Sequence, residues 1–472
     1  MVRSTSSQFK SNVKEALANE QLQHALKSIK TGFVAKRKIA SERLEEFEEL
    51  RDQARDIKTH TIAHMDVYLE IYQQNVEASG GHVHWAANED EARAIILEIC
   101  QQADAKTVTK GKSMIGEEIG INEYLEVNDI VPIETDLGEY IIQLRGEMPS
   151  HIIAPAVHVT KEQVAEAFKK THTDLAPDRS LEDPDDLLSE ARAMLRDKFI
   201  EADVGLTGAN FLIAETGTSV IVTNEGNGDL TQTLPKVHIA LASIEKIVPT
   251  LEDVTTLLRV LARSATGQEM SSYTTFSTGP RREADLDGPA EYHVVILDNG
   301  RTDLLAGDFS EMLRCIRCGA CLNHCPVYNA VGGHAYGWVY PGPMGAVLTP
   351  GLMGLDEASH LPQASTLCGK CEEVCPVRIP LPALLRRWRD QVFERDLTDW
   401  KTKWGLKWWA MFAKRPALYH FLVGMKMQVV AKFAGKKGHF KSIMLMSGWT
   451  DSRNFPAPQG KTFQALWKER NK

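Results

Sequence analysis

The chain has 472 residues, 43% of them hydrophobic, and a formal net charge of −9, enough for two or three domains with sizeable cores. No stretch of about 18 uncharged apolar residues occurs, which excludes a membrane-spanning helix, and the first 21 residues contain no apolar signal core, which argues against a secretory leader. The mild net charge says little about partners, but it is unevenly spread: Lys401 to Lys472 carries 15 Lys and Arg against Asp451 and Glu469 alone.

Residues 1 to about 75 read as helical. Glu15 to Leu50 is rich in Ala, Leu, Glu, Lys and Gln without Pro, and Tyr68, Leu69 and Tyr72 carry an amphipathic pattern to the stop signal Gly80-Gly81. This suits a surface helix pair or a partner-docking arm. Strands and helices alternate from His82 onward. Val83–Ala86 is a strand, and Asn88 with the acids after it opens a helix over Ala92–Gln102. The strand Thr107–Lys110, the helix Ile119–Glu126 and the strand Ile130–Asp136 follow. Helices are expected over Lys161–Lys170, Asp185–Ala202 and Leu251–Ala262. Strands are expected at Phe211–Ala214, Ser219–Val222, His238–Ala242 and Glu291–Leu297. The alternation predicts a largely parallel α/β domain over about 76–300. A helical, cysteine-bearing region of about 301–392 follows, with a helix at Leu381–Val392, and then a basic, Trp-rich segment of 393–472.

Seven of the eight cysteines lie in two short segments of the third region. Cys315, Cys318, Cys321 and Cys325-Pro326 have the spacing C-x₂-C-x₂-C-x₃-C-P, the run that wraps a [4Fe–4S] cluster in bacterial ferredoxins. Thiolates suit iron clusters because they are soft anionic donors, and two-residue spacing lets one turn of backbone grip three corners. In two-cluster ferredoxins the cysteine before Pro serves the other cluster. Carried over, Cys315, Cys318, Cys321 and Cys375 hold one cluster, while Cys325, Cys368 and Cys371 hold the second. Zinc, which favours two pairs of ligands, fits the three-cysteine turn poorly. The second run is one thiolate short, since Ser365 stands where a full repeat has its first cysteine. That cluster uses Ser365, another group or solvent at its fourth iron, or is a [3Fe–4S] cluster. His360 nearby suits a hydrogen-bond donor better than a ligand. Cysteines in metal spacing imply a reducing, cytoplasmic setting rather than a disulfide framework.

Weaker candidates surround this centre. The Gly- and Pro-rich stretch Val331–Gly345 is a cover for the clusters or, more plainly, an ordered connector. Lys110, Lys112 and Ser113 end a broken phosphate-loop pattern that lacks Gly at Lys106, yet they suit an anion at a helix start. Glu215 is a strand-end carboxylate, better read as a turn residue. Asn224–Asp229 is a polar turn without the full calcium-ligand series, and no dinucleotide fingerprint is complete. Cys100 suits a buried small hydrophobe. Arg314 and Arg317 flank the cysteines; they raise cluster potential or, more plainly, are solvated. In the tail, Trp400, Trp404, Trp408, Trp409 and Phe412 recur at helical spacing among Lys401, Lys403 and Lys407. That pattern suits packing on the chain itself or on a partner, or peripheral contact with an anionic membrane surface; no nucleic-acid motif accompanies it.

With both cysteine runs and the α/β domain in hand, the chain resembles the lactate utilization protein B family. The resemblance rests on Leu206–Asn210 and Glu215–Thr218, followed by Cys315–Tyr328, Val339–Gly345 and Leu367–Val377. It implies an α/β domain of the sugar-phosphate isomerase and CoA-transferase type. It also implies an iron–sulfur electron-transfer component of a cytoplasmic, multi-subunit system that oxidises L-lactate to pyruvate. The serine at 365 belongs to the family pattern. Two other readings stand beside it: the α/β domain is itself the catalytic or acid-binding unit, with Lys110, Lys112 and Glu215 in its site, or the chain is a scaffold whose clusters are structural.

Overall fold

Ten short strands build two sheets in the α/β region: β1 (His82–Ala86), β2 (Thr107–Gly111), β3 (Val131–Glu134), β4 (Val204–Gly208), β5 (Phe211–Ile213), β6 (Thr218–Thr223), β7 (Val237–Ser243), β8 (Ile247–Val248), β9 (Tyr273–Ser277) and β10 (Glu291–Leu297). The computed structural model describes residues 4–434, 438–442, 450 and 453–471. The larger sheet runs β1-β10-β7-β4-β2-β3, and each of its pairings is parallel. Every residue of β4 and β7 is buried, as expected of parallel strands covered on both faces. A smaller sheet, β8-β5-β6-β9, packs beside it; β5, β6 and β9 pair antiparallel.

The helix Glu89–Gln102 lays Ala92, Ile96, Ile99 and Cys100 against Val108, Val204, Leu206 and Val295 to form one core. Cys100 is fully buried there, and its thiol is pushed up to about 12 by burial. A second core gathers Ile133, Tyr140, Phe168 and Leu187. The helix Asn227–Thr233 crosses β4 so closely that a Cβ at Gly205 would lie 1.9 Å from the Thr231 carbonyl oxygen. Only glycine fits that position.

From β2 the chain steps outward to β3 and then returns to β4 on the other side of β2. A crevice therefore opens beyond the carboxyl ends of β2 and β4, where open α/β sheets bind ligands.

Residues 1–391 form one unit and 392–472 another. The N-terminal helices belong to the first and are no free arm. The expected helical region runs as Phe9–Ala18, then Glu20–Ile29 continued through the π-helical Lys30–Val34 into Ala35–Glu42, then Phe47–Ala63, with Asn19 capping the second through the Leu22 N–H. The breaks let the chain wrap the cysteine region: the Gln23 side chain donates to the Ala330 carbonyl at 2.8 Å, and Phe33 stacks on His151. The expected helix Ile119–Glu126 is interrupted at Gly120, which sits at φ 61°. The polar turn at Asn224–Asp229 leads into the helix Asn227–Thr233, whose N-cap is Gly226. In the second unit, Trp400–Ala413 and Pro416–Ala434 are helices, and Trp400, Trp404, Trp408 and Trp409 are exposed. Among the described residues no helix is long and apolar enough to cross a membrane.

Candidate iron–sulfur centre and adjoining cleft

Cys315, Cys318, Cys321 and Cys375 line one apolar cavity, closed by Ile152, Ile316, Met344, Val377, Ile379 and Leu381. The structure thus brings the first three cysteines of one run together with the last of the other. All eight cysteines are free thiols. Burial pushes the Cys321 thiol well up, and Cys318, Cys315, Cys371 and Cys375 push it further. Cys318 is raised by burial and by Cys375. Crowded, mutually repelling sulfurs in an apolar pocket are a poor resting arrangement for thiols and a good donor set for an iron–sulfur cluster. The residues present fit that group.

Cys325, Cys368 and Cys371 form the second gathering. The Cys371 thiol is pushed up to about 12 by burial with Cys325 and Cys368 as its thiol neighbours, and Cys325 is raised by burial and by Cys368. Cys325 and Cys371 are buried, whereas Cys368 is exposed.

The two runs share one backbone shape, fifty positions apart. Arg317 and Leu367 lie at φ 58° and 53°, and Gly319 and Gly369 at φ 72° and 82°. In the first loop the Arg317 N–H donates to Cys315 Sγ at 3.4 Å; in the second the Leu367 N–H donates to Ser365 Oγ at 3.1 Å. Ser365 therefore holds the place in the second loop that Cys315 holds in the first. His360 is tied instead to the N-terminal segment through Ser6 and Phe9. The stretch Val331–Gly345 is an ordered and largely buried connector that also covers the cysteine cavity through Met344.

The arginines beside the cysteines are not solvated. Arg314 is buried and donates to the Glu311 carboxylate at 2.9 Å. Arg317 donates to Glu245 at 3.0 Å, and its guanidinium lies 4.9 Å above the Tyr340 ring. Glu245 also pairs with Arg301 at 2.9 Å, and Arg301 forks onto Glu118 at 2.7 and 2.9 Å. Glu118 accepts a further bond from Tyr340 Oη at 2.6 Å. Burial alone would raise the Glu245 carboxyl, but Arg301 and Arg317 outweigh it and hold it down to about 2. A buried chain of alternating charges thus fastens the first cysteine loop to the α/β domain.

Two cations that the sequence left unmarked serve the second run. Arg51 donates to the Cys375 carbonyl at 2.8 Å, and Arg37 to the Val374 carbonyl at 3.0 Å. Both are buried. In the sequence they sit among other charged residues of helical stretches, with no pattern that separates them from a solvated face.

The anion loop expected at Lys110, Lys112 and Ser113 is dismantled. Lys110 is buried and paired with Glu117 and with Glu134, the latter at 2.6 Å. Ser113 caps its own short helix through the Gly116 N–H. Glu215 is exposed and accepts from the Leu251 N–H at 3.1 Å, a capping role at a turn. Lys112 alone faces the crevice beyond β2 and β4. There it joins Gly208, Asn210, Ser243, Lys246 and Arg317 in a cleft of about 130 Å³.

Comparison with known proteins follows this layout. The LUD domain family matches residues 69–297, the 4Fe-4S dicluster domain family residues 311–379, and the family "Lactate utilisation protein B, C-terminal" residues 397–472. The chain is 44% identical to Lactate utilization protein B of Bacillus pumilus, with 98% of each chain covered. It is 43% identical to the protein of that name from Shouchella clausii, covering 98% of this chain and 97% of that one. A solved structure of a DUF162 family protein from Deinococcus radiodurans covers 49% of this chain and 98% of its own, at 16% identity and a TM-score of 0.26.

Proposed function

The chain belongs to the lactate utilization protein B family, and from that premise we propose that it is the iron–sulfur electron-transfer subunit of a multi-protein complex oxidising L-lactate to pyruvate. The observation that carries the reading is the cavity lined by Cys315, Cys318, Cys321 and Cys375, with Cys371 of the second gathering among the close neighbours of Cys321. In this reading Cys315, Cys318, Cys321 and Cys375 hold one [4Fe–4S] cluster. Cys325, Cys368 and Cys371 hold a second, with Ser365 placed at its fourth corner; a [3Fe–4S] cluster is the alternative there. Bound clusters supply one-electron redox chemistry, so two of them take up in succession the two electrons that lactate releases.

The chain's own residues tune and insulate the centre. Ile152, Met344, Val377 and Leu381 exclude water from the four-cysteine cavity. Of the guanidinium groups around it, those of Arg51, Arg314 and Arg317 are offset by Glu48, Glu311 and Glu245, which leaves Arg37 to favour the more negative, reduced state. The two-electron step on lactate is assigned to a partner subunit. The proposed setting is the cytoplasm, where a reducing environment keeps the thiols competent. The exposed Trp face and the lysines of Trp400–Ala413 suit contact with a partner or a membrane surface.

The test is anaerobic purification of the native complex, followed by visible and paramagnetic spectra before and after L-lactate. Lactate-dependent reduction of the clusters is expected. Clusters that stay oxidised with lactate yet respond to dithionite would refute the reading, and clusters inert to both reagents would favour a structural scaffold.

A further inference from the structure

The cleft beyond the carboxyl ends of β2 and β4 has a chemistry that the electron-transfer reading does not use. Its polar side carries Lys112 after β2, Asn210 after β4, and Ser243 and Lys246 at the end of β7. Its other side is apolar: Ile152, Ile153, Leu261, Ala262 and Ala265. Arg317, between two of the cavity cysteines, closes one end. Ile152 lines both this cleft and the cysteine cavity, so the two spaces share a wall one side chain thick.

The charges do not balance. Arg317 is neutralised by Glu245, which Arg301 also shares. Among the described residues neither Lys112 nor Lys246 makes a direct ion pair; the Glu225 and Glu245 carboxyls act on them only at longer range. Lys112 is moreover held at φ 43°, in the left-handed region that a lysine rarely adopts. Close packing keeps it there, since a Cβ at Gly208 would lie 2.9 Å from the Lys112 carbonyl oxygen. Two ammonium groups without a direct ion pair, facing a half-apolar cleft, call for an anion with an apolar end.

We infer that this cleft binds a small organic carboxylate, its carboxyl group between Lys112 and Lys246 and its alkyl end against Leu261, Ala262 and Ile152. A bare phosphate would leave the apolar side without a partner. The choice of L-lactate among such acids rests on the proposed function; the site itself does not. The bound acid would lie against the wall of the four-cysteine cavity.

The experiment is calorimetric titration of the cluster-loaded full-length chain under nitrogen with L-lactate, pyruvate, acetate and inorganic phosphate. At least one C3 acid should bind more tightly than acetate and phosphate. Lys112→Gln and Lys246→Gln should each weaken it at least tenfold, with iron content and visible spectrum unchanged, and Lys246→Arg should retain most of the affinity. Lys468→Gln, on the second unit, should bind as the parent does. Failure of every carboxylate to bind, tighter binding of phosphate, or undiminished binding by both lysine variants would overturn the inference. Acid binding without lactate-dependent cluster reduction in the complex would leave the site standing and remove the proposed function. Cluster reduction without acid binding to this chain would do the reverse.

Discussion

Glu245 is the joint between the α/β domain and the first cysteine loop, so Glu245→Gln tests the buried charge chain most directly. The substitution keeps size and hydrogen-bonding capacity but removes the charge shared by Arg301 and Arg317. The gap between about 2 and the ordinary 4.5 corresponds to about 3 kcal/mol of preference for the charged form. Breaking a buried pair by removing one partner typically costs a similar ~3–5 kcal/mol. With an unfolding entropy of about 2.1 cal/mol/K per residue over the 391 residues of the first unit, about 3 kcal/mol lowers the melting temperature by about 4 °C. The assay is thermal unfolding of the cluster-loaded protein under nitrogen, with Glu42→Gln as control, since its pair with Lys38 is exposed and worth under about 1 kcal/mol. The folded Glu245 carboxyl lies below its ordinary value, so its contribution is complete above about pH 4.5 and lost only as pH falls towards 2. The deficit should therefore be constant between about pH 6 and 8. An unchanged melting temperature, or a deficit no larger than that of Glu42→Gln, would refute the reasoning.

On the proposed ligand assignment, Cys325→Ser should remove the iron assigned to Cys368 and Cys371, about half the total, and spare the four-cysteine centre; iron analysis with paramagnetic spectra distinguishes this from loss of the centre nearest in sequence. Ser365→Cys should complete the second thiolate set and slow iron loss on exposure to air several-fold, read from the decay of visible absorbance. Lys110→Met should destabilise the fold by about 3–5 kcal/mol by stranding Glu117 and Glu134, measured by denaturant unfolding, while leaving carboxylate affinity in the cleft unchanged.

The sequence made the cysteine centre legible because cluster binding depends on spacing along a short stretch of chain. The repeat of that spacing placed Ser365 opposite Cys315, and the two loops adopt matching backbone angles. The α/β alternation was legible where strands are continuous apolar runs, as in β7 and β10. It failed at β4, whose Gly205 and Gly208 weaken a strand pattern but admit the Asn227–Thr233 helix and the Lys112 backbone. The helix Leu137–Arg145 was likewise unforeseen. Lys110 and Lys112 looked alike in the sequence; tertiary placement gave one three acidic neighbours, two of them buried, and left the other facing a cleft. Arg37, Arg51 and Lys246 were invisible for the same reason, because a cation drawn inward by distant carbonyls or left bare in a crevice has no local signature.

The exchange of terminal cysteines between the two loops bears on how the protein is made. On the proposed ligand assignment, neither set of sulfurs is complete until the runs, fifty positions apart, have met. Closing a loop of that length costs about 3.5 kcal/mol from its length-dependent part alone. Whichever metal centre is installed first bears that cost, and the next finds its distant sulfur already delivered. Maturation should therefore be all-or-none, with half-loaded chains scarce during biogenesis. Arg37 and Arg51, gripping the second run from helices that precede both loops in the chain, would act as a template for that meeting.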